Sequence, residues 1–524
     1  MAIAVAAGLC LFGLLSVYRQ FLIPGDADLT RAAALLTGDE PSYLLMAQAI
    51  ARGEGLDVER ANAAKTYLAF QERPVLRYED HFRSSYYENR GFKSLWRGAA
   101  IWKDGRVTQF PPLLPAVLAP VVASASRIRW TVCLLQGAFV AACVAVIILS
   151  MDAAAGATGT GHAAAVLVIG LAGIPSGYYA SQIFPEIVSG MLLLLFLFFF
   201  TSKNPAIRTL ALLCLLAPLW ATPRVVGGVA AVSAVLLWRQ RAKPRWAEIA
   251  LLGAGWGAYG LFNTLVWGNP LPAQGSVMLS LLWKAAQDLP APVLAAAGAG
   301  AALLSGVFVV IFKRLRNTPL AWRIIPVAAA ACVLTAALTP PGRRILAGIA
   351  AFFFSNNVGL LVLNPFLVIA LVSGFAFRCE DDRGEFPVWI ALVAGLVLSV
   401  AVFEEWRAGV CPSGRYQVIT ACALLFAPAR VLAGLRGRRL PTWVPGMYLL
   451  GAISLAVSML VATRPNFWYR LYHPLFGFDL VRPYYWLLPN PQRWTYLPHA
   501  ALWVATLLAL LLLPARLRSR GAKV

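Results

Sequence analysis

The sequence predicts an all-α polytopic membrane protein, and three observations predict it. Of 524 residues, 60% are hydrophobic and 13% charged, with a mean hydropathy of +0.70. That is more apolar surface than a soluble chain of this length can bury. The apolar residues fall into stretches of about 20, the length that crosses a hydrocarbon core. The basic residues come in short runs between those stretches.

Candidate spans lie near 2–23, 130–150, 162–180, 186–201, 206–222, 223–238, 247–267, 291–312, 323–339, 357–377, 387–403, 414–432, 443–462 and 498–514. The expectation is therefore about 12–14 transmembrane helices. The first stretch lacks a basic n-region and a small-x-small cleavage site, so it reads as a retained span and not a removed signal peptide. Pro218 and Pro223 mark 206–238 as a broken pair. The stretch 110–125 is apolar but short and reads as a re-entrant or juxtamembrane helix.

The formal charge of +22 does not indicate nucleic acid. Its carriers cluster as Arg239, Arg241, Lys243 and Arg245, as Lys313, Arg314, Arg316 and Arg323, as Arg430, Arg436, Arg438 and Arg439, and as Arg516, Arg518, Arg520 and Lys523. Runs placed between spans are the mark of cytoplasmic loops. With the C-terminal tail inside, the loops at 238–246, 313–322, 378–386 and 430–440 also fall inside. The polar segments 24–109, 268–290, 340–356, 404–413 and 463–497 fall outside. Arg19, Arg127 and Arg129 run against that assignment. Of the eight cysteines, only Cys411 reads as extracytoplasmic, so no disulfide framework is expected. His81, His162, His473 and His499 show no metal spacing.

The most informative stretch is Gly38-Asp39-Glu40-Pro41-Ser42-Tyr43 and the residues that follow. Pro41 suits the first position of a helix, which puts Glu40 at the N-cap. Tyr43, Met46, Ala47 and Ile50 then share one face, a spacing that suits a helix lying on the bilayer surface. Two carboxylates at a helix N-terminus meet the positive end of its dipole, which favours negative charge there. Such a pair can accept a proton from a hydroxyl, bind a divalent cation, or simply cap the helix in solvent. The residue types alone leave all three readings open.

Here the chain resembles the GT-C superfamily of membrane glycosyltransferases, in particular the bacterial protein O-mannosyltransferase and aminoarabinose transferase group. Asp39-Glu40-Pro41-x-Tyr43 resembles that family's first extracytoplasmic loop. Phe110-Pro111-Pro112-Leu113-Leu114-Pro115 with Leu118-Ala119-Pro120 looks like the segment closing the loop. Phe184-Pro185-Glu186 resembles "Y-P-E", and Trp267-Gly268-Asn269-Pro270-Leu271 resembles "F-G-S-P-L". Phe354 to Leu361 with Asn364-Pro365 resembles "G-L-L-x-x-x-P", although Asn356 and Asn357 stand where the family often has an acid. Trp406, Gly409, Gly414, Arg415 and Tyr416 resemble "W-x-x-G-x-x-x-G-R-Y".

The resemblance implies a GT-C fold, with a long first extracytoplasmic loop carrying juxtamembrane helices. It implies a catalytic module over 1–240 that includes the loop 24–109, and a variable module over 241–524. It implies an inverting hexosyl or pentosyl transferase using a polyprenyl-phosphate sugar in the bilayer. The acceptor would be a glycolipid, glycan or protein of the cell envelope, and the active site would face the periplasm from a bacterial inner membrane. Asp39 would be the catalytic base, with Glu40 orienting it or touching acceptor or cation. Arg415 and Arg224 would hold the donor phosphate, and Tyr43, Glu186 and Tyr416 would touch substrate. A divalent cation stays open. Each residue also has a plain reading: Arg415 as a span-end anchor, Glu186 as a helix cap, and the loop aromatics as an interfacial belt. Arg224, in an apolar stretch, needs an anionic partner. The competing function is a transporter or flippase of a lipid-linked glycan, which calls for charges deep in several spans and for repeated halves.

Overall fold

The computed structural model describes residues 40–56, 58–69, 111–124, 128–152, 157–179, 183–241, 243–267, 348–349, 352–353, 360–380, 384–401, 415–435, 441 and 443–463. The expected spans at 2–23, 291–312, 323–339 and 498–514 lie outside the described residues, as does most of the polar segment 24–109. Among the described residues there are helices and no strand.

The elements are α1 (Glu40–Ala51), α2 (Val58–Ala63), α3 (Leu113–Ser124), α4 (Ile128–Asp152), α5 (Ala157–Ala172), α6 (Ser176–Tyr179), α7 (Pro185–Phe199), α8 (Pro205–Leu216), α9 (Val226–Gln240) and α10 (Trp246–Trp267). After them come α11 (Leu360–Leu363), α12 (Leu367–Glu380), α13 (Glu385–Ala401), α14 (Val418–Leu424), α15 (Phe426–Ala433) and α16 (Val444–Thr463). Among the described residues, three stretches are long and apolar enough to cross a membrane: Leu134–Met151, Trp246–Val266 and Arg415–Ala433. Shorter apolar helices stand at Gly159–Ala172, Pro185–Phe199, Pro205–Trp220, Glu385–Ala401 and Val444–Ala456. The chain is a helical membrane protein.

Proline explains where the expected spans break. Pro218 and Pro223 each open a short 3-10 turn, Ala217–Trp220 and Pro223–Val225, between α8 and α9. Proline has no N–H to give and its ring crowds the preceding turn. Pro175 and Pro365 likewise interrupt the chain between α5 and α6 and between α11 and α12. The amides exposed there find partners on α16: Ile174 N donates to Ser458 Oγ at 3.1 Å and Phe366 N donates to Ser454 Oγ at 3.0 Å. The α3 helix has 12 residues, about 18 Å at 1.5 Å per residue, too short to cross, as its sequence indicates.

One expectation is corrected. The α1 helix does not lie open on the bilayer surface. Tyr43, Leu44, Leu45, Met46, Ala47 and Ala49 are all buried, and α1 packs along α3. Lipid tails and a protein interior are equally apolar, so a helix facing either carries similar residues.

The packing is close where glycine permits it. The α9 and α13 helices lie along each other, and a Cβ on Gly395 would fall 2.5 Å from Gly227 O. The α7 helix packs on α14, and a Cβ on Gly190 would fall 2.8 Å from Cys422 Sγ. Small residues let backbones approach in this way where no hydrophobic effect drives association.

Polar pairs tie the two ends of these helices. At the start of α7, Glu186 meets Arg224 and Arg415. At its far end, Thr201 Oγ1 donates to Glu385 Oε1 at 2.8 Å, and Arg430 donates to Glu385 through Nε at 2.7 Å. The sequence reading put Arg430 in a basic loop; it lies within α15 instead. Glu248 Oε1 accepts from Arg208 Nε at 2.9 Å and Arg245 Nη1 at 3.3 Å, while its Oε2 accepts from Gln240 Nε2 at 2.9 Å. With 15 residues, α7 separates the two ends by about 22 Å.

Candidate functional site

The site is built around the start of α7. Phe184 is extended (φ −130°, ψ 144°) and Pro185 takes the first helical position, which its fixed φ favours. Glu186 therefore falls in the first turn, where the helix dipole favours a negative charge. Its side chain is fully buried. Its Oε1 accepts two hydrogen bonds, from Arg224 Nη1 at 2.7 Å and from Arg415 Nε at 2.8 Å.

Each arginine comes from a 3-10 turn that opens another helix. Arg224 sits in Pro223–Val225 before α9, and Arg415 begins Arg415–Gln417 before α14. Aromatic faces fix both side chains. The Arg224 guanidinium carbon lies 3.4 Å from the centre of the Tyr416 ring, and that of Arg415 lies 4.1 Å from the centre of Phe184. Such stacking adds electrostatic attraction and restrains the guanidinium plane.

The acidic N-terminus of α1 joins the same cluster. Glu40 is fully buried, and its Oε1 accepts from Ile183 N at 2.8 Å. Tyr43 meets Phe184 edge to face at 6.5 Å, and Tyr179 meets the same ring at 5.6 Å. Gln136 Nε2 donates to Phe184 O at 3.2 Å. Residues 183–186 are thus held together from α1, α4 and the turns that precede α9 and α14.

The structure brings Glu40, Tyr43, Glu186, Arg224, Arg415 and Tyr416 into one cluster. Asp39 lies outside the described residues. Arg415 does not snorkel to a span end; it is 1% exposed and turned onto Glu186. The anion that Arg224 needs is Glu186. Glu186 bridges two arginines, and α7 has no side-chain cap at Phe184. The Phe184 ring and Gln136 were not singled out from the sequence. A lone amide in the apolar run of α4 was the available signal for Gln136, since a polar side chain there is costly without a partner.

Hydrogen-bonding capacity remains unused. Glu186 Oε2 and Arg224 Nε are buried and have no hydrogen-bond partner among the described residues. Buried charged groups ordinarily find partners, and each one left over carries a desolvation cost. Arg224 is the member closest to the surface, with 11% of its side chain exposed. Two guanidinium groups held in fixed orientation, in surroundings depleted of water, form a strong field for an oxyanion. Among the described residues, no group of three or more His, Cys, Asp or Glu is arranged to hold a metal ion.

No protein-family model matches the chain, and no curated protein matches it. Among solved structures it is similar to the oligosaccharyltransferase AglB from the archaeon Archaeoglobus fulgidus, solved with an inhibitory peptide and a dolichol-phosphate. The TM-score is 0.41 at 13% identity, covering 88% of this chain and 55% of that one. The chain therefore spans about half the length of that protein.

Proposed function

We propose that this protein is an inverting glycosyltransferase of GT-C type. It moves a hexosyl or pentosyl unit from a polyprenyl-phosphate donor to a glycolipid, glycan or protein of the cell envelope. The observation that carries this reading is the convergence of Arg224 and Arg415 on one oxygen of Glu186, in the cluster that also holds Glu40 at the start of α1.

The chemistry follows from what each group can do. In the donor, the sugar's anomeric carbon is bonded to a phosphate oxygen. When that bond breaks, the oxygen keeps the electron pair and the phosphate gains charge. Arg224 and Arg415 stabilise that charge through N–H donors already oriented by Glu186, Tyr416 and Phe184. Asp39 takes the proton of the acceptor hydroxyl as its oxygen bonds to the anomeric carbon from the opposite face. One displacement inverts the centre. Glu40, anchored on Ile183 N, fixes the start of α1 and so orients Asp39. Tyr43 and Tyr416 flank the two halves of the site.

The charge distribution supports an extracytoplasmic site in a bacterial inner membrane. The cluster lies at one end of α7 and α9, and the basic run 239–245 lies beyond the other. Positive loops stay in the cytoplasm, which turns the Glu186 end outward. A flippase would instead place its charges along the spans; here the buried ion pairs sit at helix ends.

The test is direct transfer by the purified full-length chain from radiolabelled polyprenyl-phosphate sugars. Label should move to an envelope acceptor with inverted configuration. Arg415→Ala should raise the donor KM about tenfold or more and leave the acceptor KM unchanged. Label that crosses a vesicle bilayer still attached to its lipid would count for the flippase instead.

A further inference from the structure

At the opposite end of the helices, the turn between α9 and α10 carries a feature that sugar transfer does not use. Trp238-Arg239-Gln240-Arg241-Ala242-Lys243-Pro244-Arg245-Trp246 holds four cations and no acid between two tryptophans. Glu248 gathers more positive charge to the same place. Through Arg208, Arg245 and Gln240 it joins the ends of α8, α9 and α10. Arg208 Nη1 in turn donates to Lys203 O at 3.0 Å, which sets Lys203 beside the turn. Lys203, Arg241, Lys243 and Arg245 are all exposed, and Glu248 is a carboxylate bonded into the group.

The tryptophans set the depth. Trp238 and Trp246 are 53% and 73% exposed, and indole rings settle at the boundary between hydrocarbon and headgroups. The Arg241 guanidinium carbon lies 3.8 Å from the centre of the Trp238 ring. That stacking covers one face of the guanidinium and leaves its N–H edges for oxygen acceptors. Tryptophans on both sides of the turn thus favour headgroup depth for the cations between them.

We propose that this turn, with Lys203, is a binding site for an anionic phospholipid of the surrounding bilayer. A phosphodiester headgroup of net negative charge fits between Arg241, Lys243 and Lys203, with its tails along the exposed side of α10. A zwitterionic headgroup brings its own cation into a patch of cations and is disfavoured. A soluble phosphate lacks the tails that the flanking tryptophans and the lipid face accept. The site lies about 22 Å from Glu186 along α7, so it is separate from the proposed donor site and independent of the proposed reaction.

The test uses the full chain in neutral detergent with phosphatidylglycerol, phosphatidylcholine or glycerol phosphate added. Lipid retained per protein is read by native mass spectrometry. Phosphatidylglycerol should be retained about tenfold over phosphatidylcholine, with the preference falling as ionic strength rises. Lys203→Gln/Arg241→Gln/Lys243→Gln should bring the two lipids within about twofold. The charge-matched control Arg52→Gln/Arg60→Gln/Lys65→Gln, and the charge-keeping Lys203→Arg/Lys243→Arg, should both retain the preference. Equal retention of the two lipids by the wild type would overturn the proposal. So would a preference surviving the first triple variant, or equal binding of glycerol phosphate. Loss of the preference in the control would show bulk charge at work and would overturn it too.

Discussion

Two buried glutamates stand at opposite ends of the same bundle, each held by arginine, and they differ in how completely they are used. Glu385 spends both oxygens: Oε2 accepts from Arg430 Nε at 2.7 Å, and Oε1 accepts from Arg430 Nη2 at 3.5 Å and Thr201 Oγ1 at 2.8 Å. Glu186 puts two arginines on one oxygen, and its Oε2 has no hydrogen-bond partner among the described residues. The first arrangement is closed and joins α7, α13 and α15 mechanically. The second turns two guanidinium groups onto one oxygen and leaves the other oxygen of Glu186 without a hydrogen bond among the described residues. Hydrogen-bond accounting thus separates a fully satisfied ion pair from one with an acceptor to spare, and under the proposed function the second is the one that meets the donor phosphate.

Four substitutions test that contrast. Asp39→Asn should lower transfer by about 10²- to 10⁴-fold with melting in detergent unchanged; wild-type turnover would remove Asp39 as the base. Arg430→Ala breaks the closed pair. Because its side chain is 22% exposed, the cost should sit near the lower end for a buried pair, about 3 kcal/mol. Donor KM of the folded fraction should not change, and a large change would place Arg430 in the functional network. Glu186→Gln keeps one acceptor oxygen, enough to meet the two arginines that share Oε1, but removes the counter-charge. Polyprenyl phosphate should then bind about tenfold tighter and inhibit more strongly, so donor KM and kcat should fall together. Weaker phosphate binding would mean that the charge of Glu186, and not its shape, orients the arginines. Thr201→Val should cost only about 1 kcal/mol, seen as a small drop in melting temperature with full activity.

The sequence carried much of this. Ten of the fourteen expected spans fall on described helices, because a period of about 20 apolar residues is set by bilayer thickness and not by tertiary context. Six candidate site residues meet, although they stand up to 376 positions apart (Glu40 to Tyr416). No spacing rule could join Tyr43 to Glu186 to Arg415; only the order of short motifs pointed there. What stayed hidden was pairing. Glu186 and Glu385 both stand as acids at the starts of apolar stretches, and their contacts distinguish what each one does. The burial of α1 was hidden for a related reason. Hydropathy reports that a face avoids water, not whether lipid or protein covers it.

Ser454 and Ser458 bear on how such a chain can be made. They sit one turn apart on α16 and satisfy amides near Pro175 and Pro365, far upstream. In hydrocarbon an unsatisfied amide costs several kcal/mol, so those breaks are tolerable only once α16 has docked. During synthesis, the segments around Ile174 and Phe366 must be inserted long before residue 454 leaves the ribosome. Until then they depend on water, lipid headgroups or an insertion partner for their hydrogen bonds. The last described helix therefore acts as a clasp, and the early helices reach their final form only when it closes.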